Sequence, residues 1–116
     1  MPRDTRDLLT DVRTAAGLIE QFTAGRGLPE YTADALLRTG VERQFIVIGE
    51  ALGQLERVDP TAVAPIGDYR KVIAFRNILV HGYSTIDDHV VWTVIQHNLP
   101  LLWQQVDAVL ASLGSP

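Results

Sequence analysis

No cysteine occurs among the 116 residues, which excludes disulfides, thiolate metal sites and thiol nucleophiles. Lysine is nearly missing too: nine of the ten basic residues are arginine, and only Lys71 is lysine. That bias suits geometric recognition of anions and carboxylates, although a G+C-rich genome produces the same bias. No apolar run approaches membrane-spanning length, and the opening stretch MPRDTRDLLTD has acids where a signal peptide needs an apolar segment. The expectation is a cytoplasmic protein with no membrane partner. Positive charge is in deficit, with 14 acidic against 10 basic residues and a net charge of −4. This argues against bulk electrostatic binding of nucleic acid, but leaves room for a small local basic site.

Convincing period-two alternation is also missing, so no strand is expected. What is present is helical spacing. Leu8, Val12, Ala15, Ile19 and Phe22 form one stripe behind Asp4, a plausible N-cap, and AGRGLP then stops that helix. A short helical piece comes next over Pro29 to Arg38. Val41, Phe45, Ile48, Leu52 and Leu55 make a second stripe, with Thr39 and Glu42 as a capping box. VDPTAVAPIGD reads as a loop, and Asp68 can cap a helix from Tyr69 that stops at Gly82 in a left-handed turn. Thr85 and Asp88 suit the start of a last helix, whose stripe is Val91, Ile95, Leu99, Leu102, Val106 and Leu110. Pro100 should kink it. The whole chain, 1–116, is thus read as a single all-α domain, a bundle of four long helices plus one short helix.

The stretch FRNILVHGY, residues 75 to 83, is out of character for a core helix. An Arg in a packed helix costs several kcal/mol unless its charge is paired or left wet. Asn77 and His81 are four residues apart and share a face, where the amide can orient the imidazole. Arg76 is displaced by about 100° from Asn77. Arg70 and Lys71 add local positive charge that can support a phosphate. Glu50 sits between Gly49 and Gly53 in FIVIGEALG; it either faces water or a neighbouring Arg, or holds an active-site Arg or His in place. The paired glycines suggest close approach of another helix. His81, His89 and His97 are too scattered to suggest a metal site. Trp92 and Trp103 read as core or interface residues.

An oriented acid/base group beside an anion clamp fits cleavage of an RNA phosphodiester by its own 2′-hydroxyl. That reaction needs a base, an acid and a cation over the phosphate, with no cofactor, metal or protein nucleophile. The residues alone also allow, and more readily, a helix end with a capping His and a surface Arg.

The pattern RNILVHGY resembles the HEPN superfamily and, more narrowly, the HepT-type toxins, whose signature is Arg, four residues, His, any residue, Tyr. RDLLTDVRTAAGLIEQFTAG, VERQFIVIGEAL and HVVWTVIQHNLPLLWQQV resemble that family's first, central and last helices. Ser84-Thr85 departs from the Phe-Gly of many relatives. The resemblance implies a HEPN-type bundle acting as a metal-independent endoribonuclease toxin of a type VII-like toxin–antitoxin pair. Its partner would be a minimal nucleotidyltransferase antitoxin that transfers AMP to the motif tyrosine. Carried over, Arg76 and His81 are the catalytic pair, Asn77 the polar residue beside them and Tyr83 the modification site. One motif His per chain, against a reaction that uses both a base and an acid, suggests a homodimer with a composite site. The alternative is a non-catalytic helical adaptor that presents substrate to a nucleotidyltransferase.

Overall fold

The computed structural model describes residues 4–82 and 86–114. Helix α1 (Thr5–Thr23) starts at Asp4, whose carboxylate accepts the N–H of Asp7 at 2.8 Å. Its stripe of Leu8, Val12, Ala15 and Ile19 is fully buried. Helix α2 (Leu28–Ala33) opens with Glu30 reaching back to the N–H of Gly27. The short helix expected over Pro29 to Arg38 therefore ends early, because Asp34 takes an extended backbone and caps the next helix, α3 (Ala35–Val58). Its carboxylate accepts the N–H of Leu37 at 3.0 Å, and α3 runs without a break through Gly40. Thr39 is no cap: its hydroxyl donates to the Ala35 carbonyl inside the helix at 2.8 Å. An aspartate one turn upstream takes the place of the expected Thr39–Glu42 box.

The segment read as a loop contains a further one-turn helix, α4 (Pro60–Val63), capped by Asp59 and burying Ala62 and Val63. Helix α5 (Tyr69–His81) comes next. Asp68 stands at its N-cap position with φ +60°, and its side chain makes no capping bond. Gly82 ends α5 without the left-handed turn expected of it. Its φ is −114°, and its N–H reaches the Ile78 carbonyl at 2.7 Å. The last long helix is built in three parts: α6 (Asp88–Thr93), a π-helical turn over Val94–Asn98, and α7 (Leu99–Ser112). Asp87 caps α6 through the N–H of His89, while the expected Thr85 cap lies outside the described residues. Proline in a helix clashes with the carbonyl four residues back and leaves it without a donor. The wider π turn just before Pro100 is where the backbone absorbs that misfit.

The architecture is an all-α bundle with two short helices rather than one, and no strand among the described residues. Helix α3 is its axis. It packs against α1 and against α5, and α7 closes on α1. Phe45 of α3 meets Phe75 of α5 edge to face, with ring centroids 5.2 Å apart. Trp92 packs on the buried ring of Tyr31, and the indole N–H of Trp103 donates to Asp107 at 2.9 Å, so both tryptophans serve packing within the chain. No helix among the described residues is long and apolar enough to cross a membrane.

Candidate functional site

Helices α3 and α5 come into tight contact at Gly49. A methyl group built there would lie 2.2 Å from the Cβ of Arg76 and 2.7 Å from its Cγ. Only glycine lets the Arg76 stem lie against α3. From that position its guanidinium forks: one terminal nitrogen donates to Glu50 Oε1 at 2.9 Å, and the other to Asn77 Oδ1 at 2.9 Å. Nε is buried and has no hydrogen-bond partner among the described residues. The Arg76 side chain is about one quarter exposed, at 26%. It is neither a core residue nor a free surface charge. One N–H of each terminal nitrogen is spent on orientation, and the second of each remains for an anion.

Asn77 therefore contacts the arginine. No hydrogen bond joins it to His81 among the described residues, contrary to the expected role of fixing the imidazole. Its side-chain oxygen is engaged by the stronger, charge-assisted donor. His81 is the last residue of α5 and is exposed. It stands about 7.5 Å along the axis from Arg76 and about 140° around it. A single chain thus joins Arg76, Asn77 and Glu50 into one cluster and leaves His81 apart, at the open end of the same helix. Tyr83 lies outside the described residues.

Arg70 and Lys71 are at the other end of α5, about 16 Å from His81 along the axis. Each faces an acid. Arg70 Nε meets Glu56 at 3.1 Å while its guanidinium covers the Tyr69 ring, and Lys71 faces Asp68 at 3.7 Å. The Tyr69 hydroxyl also donates to Glu56 at 2.7 Å, and these two donors hold the Glu56 carboxyl below its ordinary range. Neither Arg70 nor Lys71 lines the Arg76 groove.

That groove, of about 350 Å³, runs between α3 and α5 and is walled by Gly49, Glu50, Gly53, Gln54, Arg57, Ile73, Arg76 and Asn77. Gln54 and Arg57 belong to no motif in the sequence. The signal that could have found them is their step of one to two turns from Glu50 along α3. Beside the exposed end of α5, a second and more apolar cleft is lined by Phe75, Ile78, Leu79, Ile86, Asp87, Val90 and Val91. Ile78 and Val90 are both half exposed there. No group of three His, Asp or Glu side chains suited to a metal occurs among the described residues.

The family described as ribonuclease HepT-like matches residues 12–109. A candidate RNase of Methanocaldococcus jannaschii is 27% identical over 107 residues, covering 92% of this chain and 97% of the relative. A protein of Thermococcus cleftensis designated a probable ribonuclease HepT is 29% identical over 102 residues, covering 88% and 92%. No solved structure matches. The matched span runs from the middle of α1 to near the end of α7 and takes in Glu50, Arg76 and His81. The chain belongs to the HepT-like ribonuclease family.

Proposed function

We propose that the chain is a metal-independent endoribonuclease toxin whose site is completed by a second copy of itself. The observation that carries this reading is the Arg76 clamp. An arginine fixed by Glu50 and Asn77 faces a groove with donors to spare, on the helix that presents His81 at its exposed end. In this reading one His81 imidazole takes the proton of the ribose 2′-hydroxyl. The freed oxygen attacks phosphorus, Arg76 offsets charge on the equatorial oxygens, and the bond to the 5′-oxygen breaks. An imidazolium returns a proton to that oxygen, leaving a 2′,3′-cyclic phosphate and a free 5′-hydroxyl.

One histidine per chain is too few for both proton transfers in a single step, and Arg76 and His81 are on different faces of α5. A two-fold axis beside the C-terminal end of α5 supplies the second imidazole, and half-exposed Ile78 and Val90 offer apolar contact there. Gly49 of α3 is already covered by Arg76 within the chain, which favours the motif side for self-association. Control falls to a minimal nucleotidyltransferase antitoxin that attaches AMP to Tyr83, two residues beyond His81. The added phosphate would compete for the space of the RNA phosphate.

The test is cleavage of a short RNA by purified protein in excess chelator. Wild type should cut, while Arg76→Ala and His81→Ala should be inactive with unchanged helical content by circular dichroism. Undiminished cleavage by both variants would remove the assignment. A wild type that binds a nucleotidyltransferase but never cuts RNA would favour the adaptor.

A further inference from the structure

We propose that Arg57 forms a second phosphate-binding subsite with the bare floor of the groove at Gly53, holding the RNA strand one position along from Arg76. This rests on the ribonuclease reading and extends it to how substrate is gripped. The two glycines of α3 are one turn apart, and each lies under an arginine. A Cβ at Gly49 would strike the stem of Arg76, while the nearest atom to one at Gly53 is Arg57 Nη1, at 4.0 Å. The Arg57 guanidinium therefore lies back along α3 towards the groove.

Among the described residues Arg57 makes no ion pair or hydrogen bond; its neighbour Glu56, whose carboxylate feels its charge, is held by Tyr69 and Arg70. The charged residues of the groove are one carboxylate, Glu50, and two guanidiniums, and that carboxylate is committed to Arg76. A chain of net charge −4 thus keeps a locally positive channel along the face that carries its clamp. Gln54 and Asn77 line the same channel and offer amide groups for further hydrogen bonds. A strand whose scissile phosphate sits at Arg76 would carry a flanking phosphate past Arg57. Arginine suits that role because its fork matches phosphate oxygens.

The competing explanation is that Arg57 only complements the C-terminal dipole of α3. Binding of a non-cleavable 2′-O-methyl RNA oligonucleotide to the full chain separates the two. Arg57→Ala should weaken binding by about tenfold at low salt, as expected for one charge-assisted contact. It should also flatten the dependence of log K on log salt by about 0.7, the share of one single-strand phosphate. Arg57→Lys should keep the salt slope and recover part of the affinity. Arg13→Ala, which removes a charge paired with Asp107 on the α1–α7 side, should change neither. Gly53→Leu brings its Cβ no closer than 4.0 Å to Arg57 Nη1 and should fold, but its side chain would fill the groove floor and reduce affinity at a melting temperature no lower than that of wild type. RNA binding by wild type with unchanged affinity and slope in Arg57→Ala, and unchanged affinity in Gly53→Leu, would overturn the subsite and spare the ribonuclease reading. A wild type that neither binds nor cuts RNA would overturn both.

Discussion

Gly49→Ala should lower stability, although alanine is ordinarily the better helix residue. The added methyl would stand 2.2 Å from Arg76 Cβ and 2.7 Å from Cγ, with the Val72 carbonyl at 3.5 Å. Carbon atoms in contact are normally about 3.5–4.0 Å apart, so α3 and α5 must part by more than about 1 Å. Neither obstructing atom is the free end of a flexible side chain, so rotamer change alone does not relieve the clash. Overpacking of this kind costs about 1–3 kcal/mol, and so deep an overlap belongs at the upper end. Helix propensity returns about 1 kcal/mol. The net loss is about 2 kcal/mol, or roughly 8 °C in melting temperature for a domain of this size. The same displacement pulls Arg76 off Glu50 and should reduce RNA cleavage further than the stability loss alone explains. Thermal unfolding monitored by circular dichroism reads the first effect, with Gly53→Ala as the matched control on the same helix. At Gly53 the new methyl meets only Arg57 Nη1 at 4.0 Å, so that variant should gain stability. A Gly49→Ala protein as stable as wild type, or two variants shifting in the same direction, would refute the close-packing account.

Tyr31 is fully buried and its hydroxyl has no partner among the described residues; burial, reinforced by Glu42 and Asp88, pushes its ionisation up. Tyr31→Phe should leave stability unchanged or raise it by up to about 1 kcal/mol in urea unfolding, and a clear loss would show that the hydroxyl is bonded after all. Burial, then Asp88, raises the Glu42 pKa against the pull of Arg38. The folded state therefore holds the Glu42 proton at pH values where the unfolded chain has released it, and stability falls as pH rises from the ordinary carboxylate range through the folded pKa. Glu42→Gln should accordingly raise the melting temperature more at pH 7 than at pH 4; equal shifts at both would sink this reasoning. Mixing Arg76→Ala with His81→Ala protomers should restore some cleavage, since only the mixture offers both side chains across one interface, and a mixture as inert as its components argues against a composite site. Incubation with the nucleotidyltransferase and ATP should add one AMP mass to wild type and none to Tyr83→Phe; mass gained by both places the modification elsewhere.

Helix existence was legible because it depends on short-range pattern. The stripes from Leu8 to Ile19 and from Val41 to Leu55 are buried as their spacing requires. Boundaries were less legible, because several polar residues compete for each cap. Asp34 outcompeted Thr39, and Asp87 serves the last helix. A one-turn helix such as α4 offers too few residues for periodicity to register. Its existence depends on burying Ala62 and Val63 against the bundle.

The sequence by itself determined that the chain is helical, that it lacks thiol chemistry, and that Arg76, Asn77 and His81 share one helix. Those properties arise from composition and from the 3.6-residue repeat, which need no knowledge of neighbours. Only the tertiary structure decided what Arg76 touches. Its pairing with Glu50 joins residues 26 positions apart, and its seat on Gly49 exists because α3 presents no side chain at that point of its contact with α5. It also decided that Arg70 and Lys71 stand away from the clamp while Arg57 lines its groove. Helical spacing fixes which face a residue occupies, but which faces meet is set by packing across the whole bundle.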